Sequence, residues 1–321
     1  MKDNTVLVLA DPSEPQLAML SELRDSAEIL IGNSRGTFDK PAASASVLFN
    51  WSGSLELLRD VVSMARHLRW VHSRSVGLER TLFPELVENS VTLTNGRGVF
   101  SASLGEFALA AILYFAKDFH RLIRNQITHK WEQFDVEVIA EKTVDIVGYG
   151  DRGRAVAARA RPLGMKVLAL KRHSSREADP AIEKTYLRSG ILEMLPLSDY
   201  VVVSTPLTDE TRGMIAEAEF SAMKPTAVVI NIGRGPVIKE EAMLSALAER
   251  RIRGVALDVF DEEPLPAGHP FYKMENVLLS PHCADHTSDW LDQAMRLFIE
   301  QYQRFRTGKP LLYVVDKKLG Y

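Results

Sequence analysis

A single cysteine, Cys283, among 321 residues excludes an intrachain disulfide. No apolar run approaches the roughly 20 residues of a membrane-spanning helix, so no membrane partner is expected. Strong charge of one sign is also missing. The 39 Lys and Arg against 42 Asp and Glu leave a net charge of −3, which gives no reason to expect nucleic-acid binding. The eight histidines show no ligand-type spacing, so no metal is expected. No repeat or low-complexity tract stands out. Met1–Lys–Asp–Asn runs directly into the strand-like Val6–Leu–Val–Leu–Ala10 without a signal-peptide pattern, which reads as a cytoplasmic protein.

What is present is an ordinary globular composition, 46% hydrophobic and 25% charged, in a chain longer than one core usually accommodates. Two domains are therefore expected. Residues 5–10, 27–31, 45–49, 69–72 and 91–93 read as short buried strands, with helical patterns near 14–24, 54–66 and 79–87 between them. Such alternation predicts a parallel sheet covered by helices on both faces. Ser101–Ala–Ser–Leu–Gly–Glu106 opens a long apolar helix to about Phe119, and the Ser103/Glu106 spacing fits a helix start. A second series follows, with strands at 143–147, 166–170, 200–203, 227–230, 254–258 and 276–279, then a helix over about 286–306. The expected fold is α/β: two Rossmann-like, doubly wound parallel-sheet domains, one inserted into the other. Residues 1–100 plus 286–321 form the substrate-binding domain and 101–285 the dinucleotide-binding domain. A cleft between domains would hold cofactor and substrate.

Thr143–Val–Asp–Ile–Val–Gly148–Tyr149–Gly150–Asp151–Arg152–Gly153 is a strand running into a GxGxxG and a helix start. A lone GxGxxG is weak, but this one has a second strand at Lys166–Leu170. Gly148 permits the tight turn, Gly150 lets backbone approach a pyrophosphate, and Gly153 allows helix and strand to pack closely. An NAD site normally places Asp or Glu after the second strand for the ribose hydroxyls. Here that position reads Lys171–Arg172–His173–Ser174, with no acid. Cations and hydroxyls suit a 2′-phosphate, so NADP(H) is preferred and NAD(H) remains possible.

Three hydrophobic strands in the second half each end in a reactive side chain: Arg234 after Ala227–Ile230, Glu263 after Gly254–Asp258, and His282 after Asn276–Leu279. Ligands of open parallel sheets bind at strand carboxyl ends, so a cation, a carboxylate and an imidazole can converge on one small anion. Cys283 reads as packing, because sequence neighbours on a turn rarely face each other as a Cys–His pair must.

These segments, with Asn95–Gly–Arg97–Gly98, Ser204–Thr–Pro–Leu–Thr–Asp–Glu–Thr211, Leu257–Asp–Val–Phe–Asp–Glu–Glu–Pro and Ser280–Pro–His282, resemble the D-isomer-specific 2-hydroxyacid dehydrogenase family. The likeness is greatest to its glyoxylate/hydroxypyruvate reductase-like members. It implies hydride exchange between NAD(P)H and a small 2-oxo acid, with the 2-hydroxy acid as product. Arg234 would hold the substrate carboxylate and polarise the carbonyl, and His282 would donate the proton. A carboxylate favours a protonated imidazole and orients its ring. The family pattern assigns that role to Glu263, directly before the proline, over Glu262.

The resemblance further implies cofactor contacts at the glycine loop, at Thr205, Pro206, Thr211, Ile232 and Gly233, and at Asp258 for the nicotinamide amide. Substrate contacts would come from Trp51, from the Ser75–Val76–Gly77 loop as an anion nest, and from Arg97. This chain has Ser–Val–Gly–Leu–Glu where the family often shows Ala–Gly–Val–Asp. A homodimer through the dinucleotide domain, involving Ser101–Phe119 and Arg121–Trp131, is also implied. A cofactor-sensing, corepressor-like binding protein on the same fold is the alternative, which the lack of a long extra tail disfavours.

Overall fold

The computed structural model of the protein describes residues 4–173 and 179–321, so Ser174 lies outside the described residues. Its contacts divide the chain into two units, Met1–Val99 with Ser288–Tyr321, and Phe100–Thr287. Twelve strands lie among the described residues: β1 (Asn4–Leu9), β2 (Ala27–Gly32), β3 (Ala45–Asn50), β4 (Trp70–Ser73), β5 (Thr92–Thr94), β6 (Thr143–Val147), β7 (Lys166–Lys171), β8 (Lys184–Leu187), β9 (Tyr200–Val203), β10 (Val228–Asn231), β11 (Gly254–Leu257) and β12 (Val277–Leu279). The α-helices are α1 (Arg35–Phe38), α2 (Leu55–Met64), α3 (Pro84–Glu88), α4 (Ser101–Ala116), α5 (Phe119–Ile127), α6 (Asp151–Ala160), α7 (Ile191–Met194), α8 (Glu217–Ala222), α9 (Glu240–Ala248) and α10 (Trp290–Arg306).

The first unit is a five-stranded parallel sheet in the order β2-β1-β3-β4-β5. Strand periodicity sends successive side chains to opposite faces. Leu7 and Leu9 join the cluster of Leu58 and Val61, while Val6 and Val8 join that of Phe49, Trp70 and Phe298. Both faces are thus covered, which is why these strands read as unbroken apolar runs. The C-terminal tail returns to this sheet, where the Val315 amide donates to Leu93 O at 2.9 Å.

The second unit is a seven-stranded parallel sheet in the order β12-β11-β10-β9-β6-β7-β8. Strand order reverses around β6, which pairs with both β7 and β9. That reversal is the switch point at which doubly wound sheets bind ligands. The two sheets with alternating helices are the expected Rossmann-like α/β architecture.

Several elements differ from the sequence reading. The helical pattern expected near 14–24 forms as the 3-10 helix Pro15–Leu23, and no side chain caps it, since the Glu14 carboxylate instead binds Trp51 and Ser52. Only Pro84–Glu88 of the expected 79–87 helix forms, because Phe83 is extended, as residues before proline prefer. Ser103 lies inside α4 and does not cap it; its hydroxyl donates to Ala284 O at 2.5 Å. The long apolar helix stops at Ala116, and Asp118, in the left-handed region, caps a separate helix through the Arg121 amide. The edge strand β8 has no counterpart in the sequence reading, as three of its four residues are exposed.

Candidate active site

The ends of β10, β11 and β12 are neighbours in the sheet and carry Arg234, Glu263 and His282. Each loop is fixed by its own polar contacts. After β10, Asn231 Oδ1 accepts from the Gly233 amide and its Nδ2 donates to Arg234 O, both at 3.0 Å. This side-chain-to-backbone turn needs a short amide such as Asn. Arg234 Nη1 donates to Gly233 O at 2.7 Å. Gly235 lies hard against the next loop. A Cβ there would come within 2.0 Å of Phe260 C and 2.5 Å of the Asp261 nitrogen. Glycine is therefore what lets the Arg234 loop reach the loop that carries Glu263.

Glu263 is held from both sides. Its Oε1 accepts from the Phe260 amide at 2.9 Å, and its Oε2 meets His282 Nδ1 at 2.7 Å. The pair is partly exposed, with 41% of the His282 side chain and 35% of the Glu263 side chain accessible. The contact at Nδ1 leaves Nε2 as the ring atom that can exchange a proton with a ligand. His282 has φ of 51°, in the left-handed region that a non-glycine residue occupies only when its surroundings enforce it.

Asp258 does the enforcing. It is 1% exposed, and its Oδ1 accepts from Ser280 Oγ at 2.5 Å and from the Cys283 and Ala284 amides at 3.0 Å. Burial raises its pKa, while the bonds from Ser280 and Ala284 and the charge of His282 oppose the rise. One oxygen of Asp258 is thus committed to the turn that bears His282. The role was invisible in the sequence, where Asp258 reads as a contact to the cofactor, and only the Ser280/Asp258 proximity in space discloses it. Cys283 is exposed, and its thiol lies 3.6 Å from Ser280 Oγ.

The glycine loop stands at the switch point. Gly148 has φ of +97°, and a Cβ on it would meet Thr205 Cγ2 at 2.6 Å. A Cβ on Gly153 would meet Gly148 O at 2.6 Å, whereas at Gly150 it would meet nothing within 4 Å. So Gly148 and Gly153 are required by packing, and Gly150 faces open space at the start of α6. No side chain caps that helix at Gly150, and a helix start of this kind is a usual place for a phosphate. Thr205 Oγ1 is buried without a hydrogen-bond partner among the described residues, an unusual state for a hydroxyl beside a glycine turn. Open space at Gly150, a helix start without a side-chain cap and an orphan hydroxyl together fit a dinucleotide. Arg152 Nη1 donates to Ile232 O at 3.2 Å, and Gly233 packs against Thr205 O, so these predicted residues share one neighbourhood. Asp151 occupies the first turn of α6. Thr211 differs: its hydroxyl donates to Pro206 O at 2.7 Å and accepts from the Thr208 amide at 2.8 Å, so it closes its own loop.

At the end of β7, Lys171 Nζ lies 4.9 Å from the Tyr149 ring centroid and Arg172 pairs with Glu210 at 2.9 Å. His173 is exposed. An acid does reach this region, from a position the sequence reading did not weigh. Asp179 accepts from Tyr149 OH at 3.0 Å and from Arg154 at 2.7 Å. Burial, with Asp179 second, pushes the Tyr149 phenol up to about 12.

In the first unit, Asn95 Nδ2 donates to Val76 O at 3.0 Å and the Gly96 amide to Ser75 O at 3.3 Å. The turn that carries Arg97 therefore sits on the Ser75–Val76–Gly77 loop. Ser75 is exposed, and Val76 and Gly77 are half-buried. Trp51 is 2% exposed, with its Nε1 donating to Glu14 and its ring under the Arg74 guanidinium. What it presents outward is Arg74. Among the described residues no group of three metal-ligating side chains exists, and no helix is long and apolar enough to cross a membrane.

The family model described as D-isomer specific 2-hydroxyacid dehydrogenase, NAD binding domain, matches residues 109–284. A glyoxylate reductase from Thermococcus gammatolerans is 31% identical over 269 residues, covering 81% of this chain and 80% of the relative. Another from Thermofilum pendens is 33% identical over 291 residues, covering 85% and 83%. Among solved structures, a D-isomer specific 2-hydroxyacid dehydrogenase from Xanthobacter autotrophicus Py2 in complex with NADPH and MES has a TM-score of 0.86 at 26% identity, covering 99% of each chain. An NADPH-dependent glyoxylate/hydroxypyruvate reductase from Sinorhizobium meliloti, in complex with NADP and sulfate, has a TM-score of 0.83 at 27% identity, covering 99% of this chain and 100% of the other.

Proposed function

We propose a reaction for this chain, which belongs to the D-isomer specific 2-hydroxyacid dehydrogenase family: NADPH-preferring reduction of short 2-oxo acids such as glyoxylate and hydroxypyruvate. It is an NAD(P)-dependent oxidoreductase of the CH–OH group, and the reverse reaction oxidises D-2-hydroxy acids. The observation that carries the reading is the Glu263–His282 pair at 2.7 Å, with Nε2 left for a ligand, two strand ends from Arg234.

The cofactor, when bound, supplies the hydride. Arg234 grips the substrate carboxylate through its planar donor fork and polarises the carbonyl. As negative charge builds on the carbonyl oxygen, His282 Nε2 delivers a proton to it. Glu263 holds the ring through its contact with Nδ1 and so keeps Nε2 for the transfer. Asp258 keeps the turn of His282 in place. Trp51, Ser75, Val76, Gly77 and Arg97 serve the substrate; Ser75–Gly77 do so through backbone amides.

The glycine loop, Thr205, Pro206, Ile232 and Gly233 serve the cofactor, with Thr211 bracing its loop. Preference for NADP rests on charge. Lys171, Arg172, Arg154 and Arg188 outnumber Asp179 and Glu210 around the end of β7, which favours a 2′-phosphate. The reductases among the relatives disfavour the corepressor-like reading. A homodimer is supported by apolar side chains on α5 and the segment after it, including Ile123, Ile127 and Trp131, the last 95% exposed. A cytoplasmic location accords with the lone cysteine.

The test is a spectrophotometric screen of glyoxylate, hydroxypyruvate, pyruvate and phenylpyruvate with NADPH and NADH side by side. Oxidation of NADPH by the two-carbon and three-carbon acids is expected. Silence across all four acids would remove the reductase reading, and equal rates with NADH would remove the cofactor preference.

A further inference from the structure

The first unit holds a cation that the reaction described above does not use. Arg74 follows β4, and its amide extends the pairing of β4 with β3 by donating to Asn50 O at 3.1 Å. Its guanidinium carbon lies 4.7 Å from the Trp51 ring centroid and 5.4 Å from that of Trp290 at the start of α10. Trp51 is itself buried and bonded: Phe49 meets its ring at 5.5 Å in an edge contact, and Glu14 accepts from its Nε1. The same Glu14 carboxylate accepts from Ser52 Oγ. Gly53 keeps this loop tight, since a Cβ there would come within 2.7 Å of Leu9 Cβ.

The clamp places the indoles against the guanidinium and leaves its donors unused. The Arg74 side chain makes no hydrogen bond or ion pair with any described residue, although Glu14 stabilises its charge at longer range. Arginine carries five N–H donors in a rigid fork, and half-burying such a group without acceptors is costly. Two flanking rings offset part of that cost by cation–π attraction and fix the fork in one orientation. A preorganised donor fork at the carboxyl end of a parallel sheet is an anion receptor. Arg234 already answers the single carboxylate of a simple 2-oxo acid in the proposed mechanism.

We propose that Arg74, held between Trp51 and Trp290, is a specificity-determining residue that recognises a second anionic group on the substrate. The preferred substrates are then short 2-oxo acids with a further carboxylate or phosphate beyond the carbonyl. This rests on the reading of the chain as a 2-oxo acid reductase and narrows its substrate class. Arg74 contributes binding, and the proton and hydride steps are unchanged.

The test compares kcat/KM, with NADPH, for glyoxylate against oxaloacetate and for hydroxypyruvate against its 3-phosphate ester, in the full-length protein and in Arg74→Met and Arg74→Lys. The parent should favour the doubly anionic member of at least one pair. Arg74→Met should reduce that ratio about tenfold or more, the scale of a hydrogen bond to a charged group. Arg74→Lys should retain part of it. The pair whose ratio collapses tells carboxylate from phosphate. Parallel loss on both members of each pair, with ratios unchanged, would mean that the clamp only stiffens the loop and would overturn the proposal. Calorimetric titration of malonate and of phosphonoacetate reads the receptor without turnover. At least one should weaken tenfold in a folded Arg74→Met variant, and unchanged binding of both would sink the receptor even if no acid were reduced. No NADPH oxidation by any acid would instead count against the reductase reading itself.

Discussion

At the ends of β10, β11 and β12, hydrogen bonds fix each reactive side chain or the turn beneath it, whereas after β3 and β4 the chain relies on stacked rings. Glu263 is bonded at both oxygens, and Asp258 gathers three donors beneath the turn of His282. Arg74, by contrast, lies between two indoles with its donors uncommitted. The difference matches the two tasks proposed for these groups. Proton transfer tolerates little displacement, so its groups are held by short directional bonds. Recognition of varied acids needs a fixed charge with free donors, and aromatic faces provide that.

The comparison breaks first, and most severely, at Gly235. In Gly235→Ala the new methyl would press on Phe260, and the Arg234 and Glu263 loops must part. Turnover should fall about a thousandfold, since a 1 Å misplacement alone can cost about a hundredfold. Steady-state assay beside a thermal melt checks this, and near-normal turnover would show that the two loops need not touch.

Asp258→Ala comes next. It strands the Ser280 hydroxyl and two amides, so turnover should drop about a hundredfold with a loss on the order of 2 kcal/mol in stability. Loss of NADPH affinity with turnover retained would instead favour a direct cofactor contact for Asp258.

One buried group in each sheet also responds to pH, and the two signs are opposite. Asp145, wholly buried in β6, is pushed up to about 7 by burial, against the Ser198 bond and the charge of Lys224. Its folded pKa lies above the unfolded value, so the folded state holds the proton longer. The stability Asp145 contributes therefore falls as pH rises from about 4 through 7. Asp145→Asn should flatten that slope and add on the order of 1–2 kcal/mol at pH 8, less than the full linkage because its amide brings unpaired donors. Denaturant melts at pH 4 and pH 8 decide it, and an unchanged slope would acquit Asp145.

His72 in β4 behaves oppositely. Burial lowers it to about 3, with Nδ1 against Thr94 Oγ1 at 2.7 Å and Nε2 unpartnered among the described residues. The stability it contributes is complete above 6.5 and is lost as pH falls toward 3. Hydrogen exchange in β4, corrected for its intrinsic pH dependence, should quicken between pH 6.5 and 4. Uniform protection there would contradict a neutral buried imidazole.

Strand periodicity and the glycine spacing made the sheets and the cofactor turn legible in the sequence. Apolar runs such as Tyr200–Val203 have one physical outcome, burial on both faces of a parallel sheet. Arg234, Glu263 and His282 were legible because they end such runs. The clamp of Arg74 was not. Trp51, Arg74 and Trp290 become neighbours only through the sheet and α10, and no local pattern marks them. The bracing role of Asp258, and Asp179 altogether, were hidden for the same reason, since their partners arrive from other loops. The helical pattern near 14–24 was legible too, but not that it closes as a 3-10 helix, where the Glu14 carboxylate binds Trp51 instead of capping.

The central claim, that His282 supplies the proton, is tested by single-turnover NADPH oxidation with glyoxylate in the parent protein and in His282→Ala, beside NADPH affinity from fluorescence titration. The rate should fall about 10²–10⁴-fold, the usual contribution of a general acid, while NADPH affinity stays within a few fold. A variant that turns over at the parent rate would contradict the account.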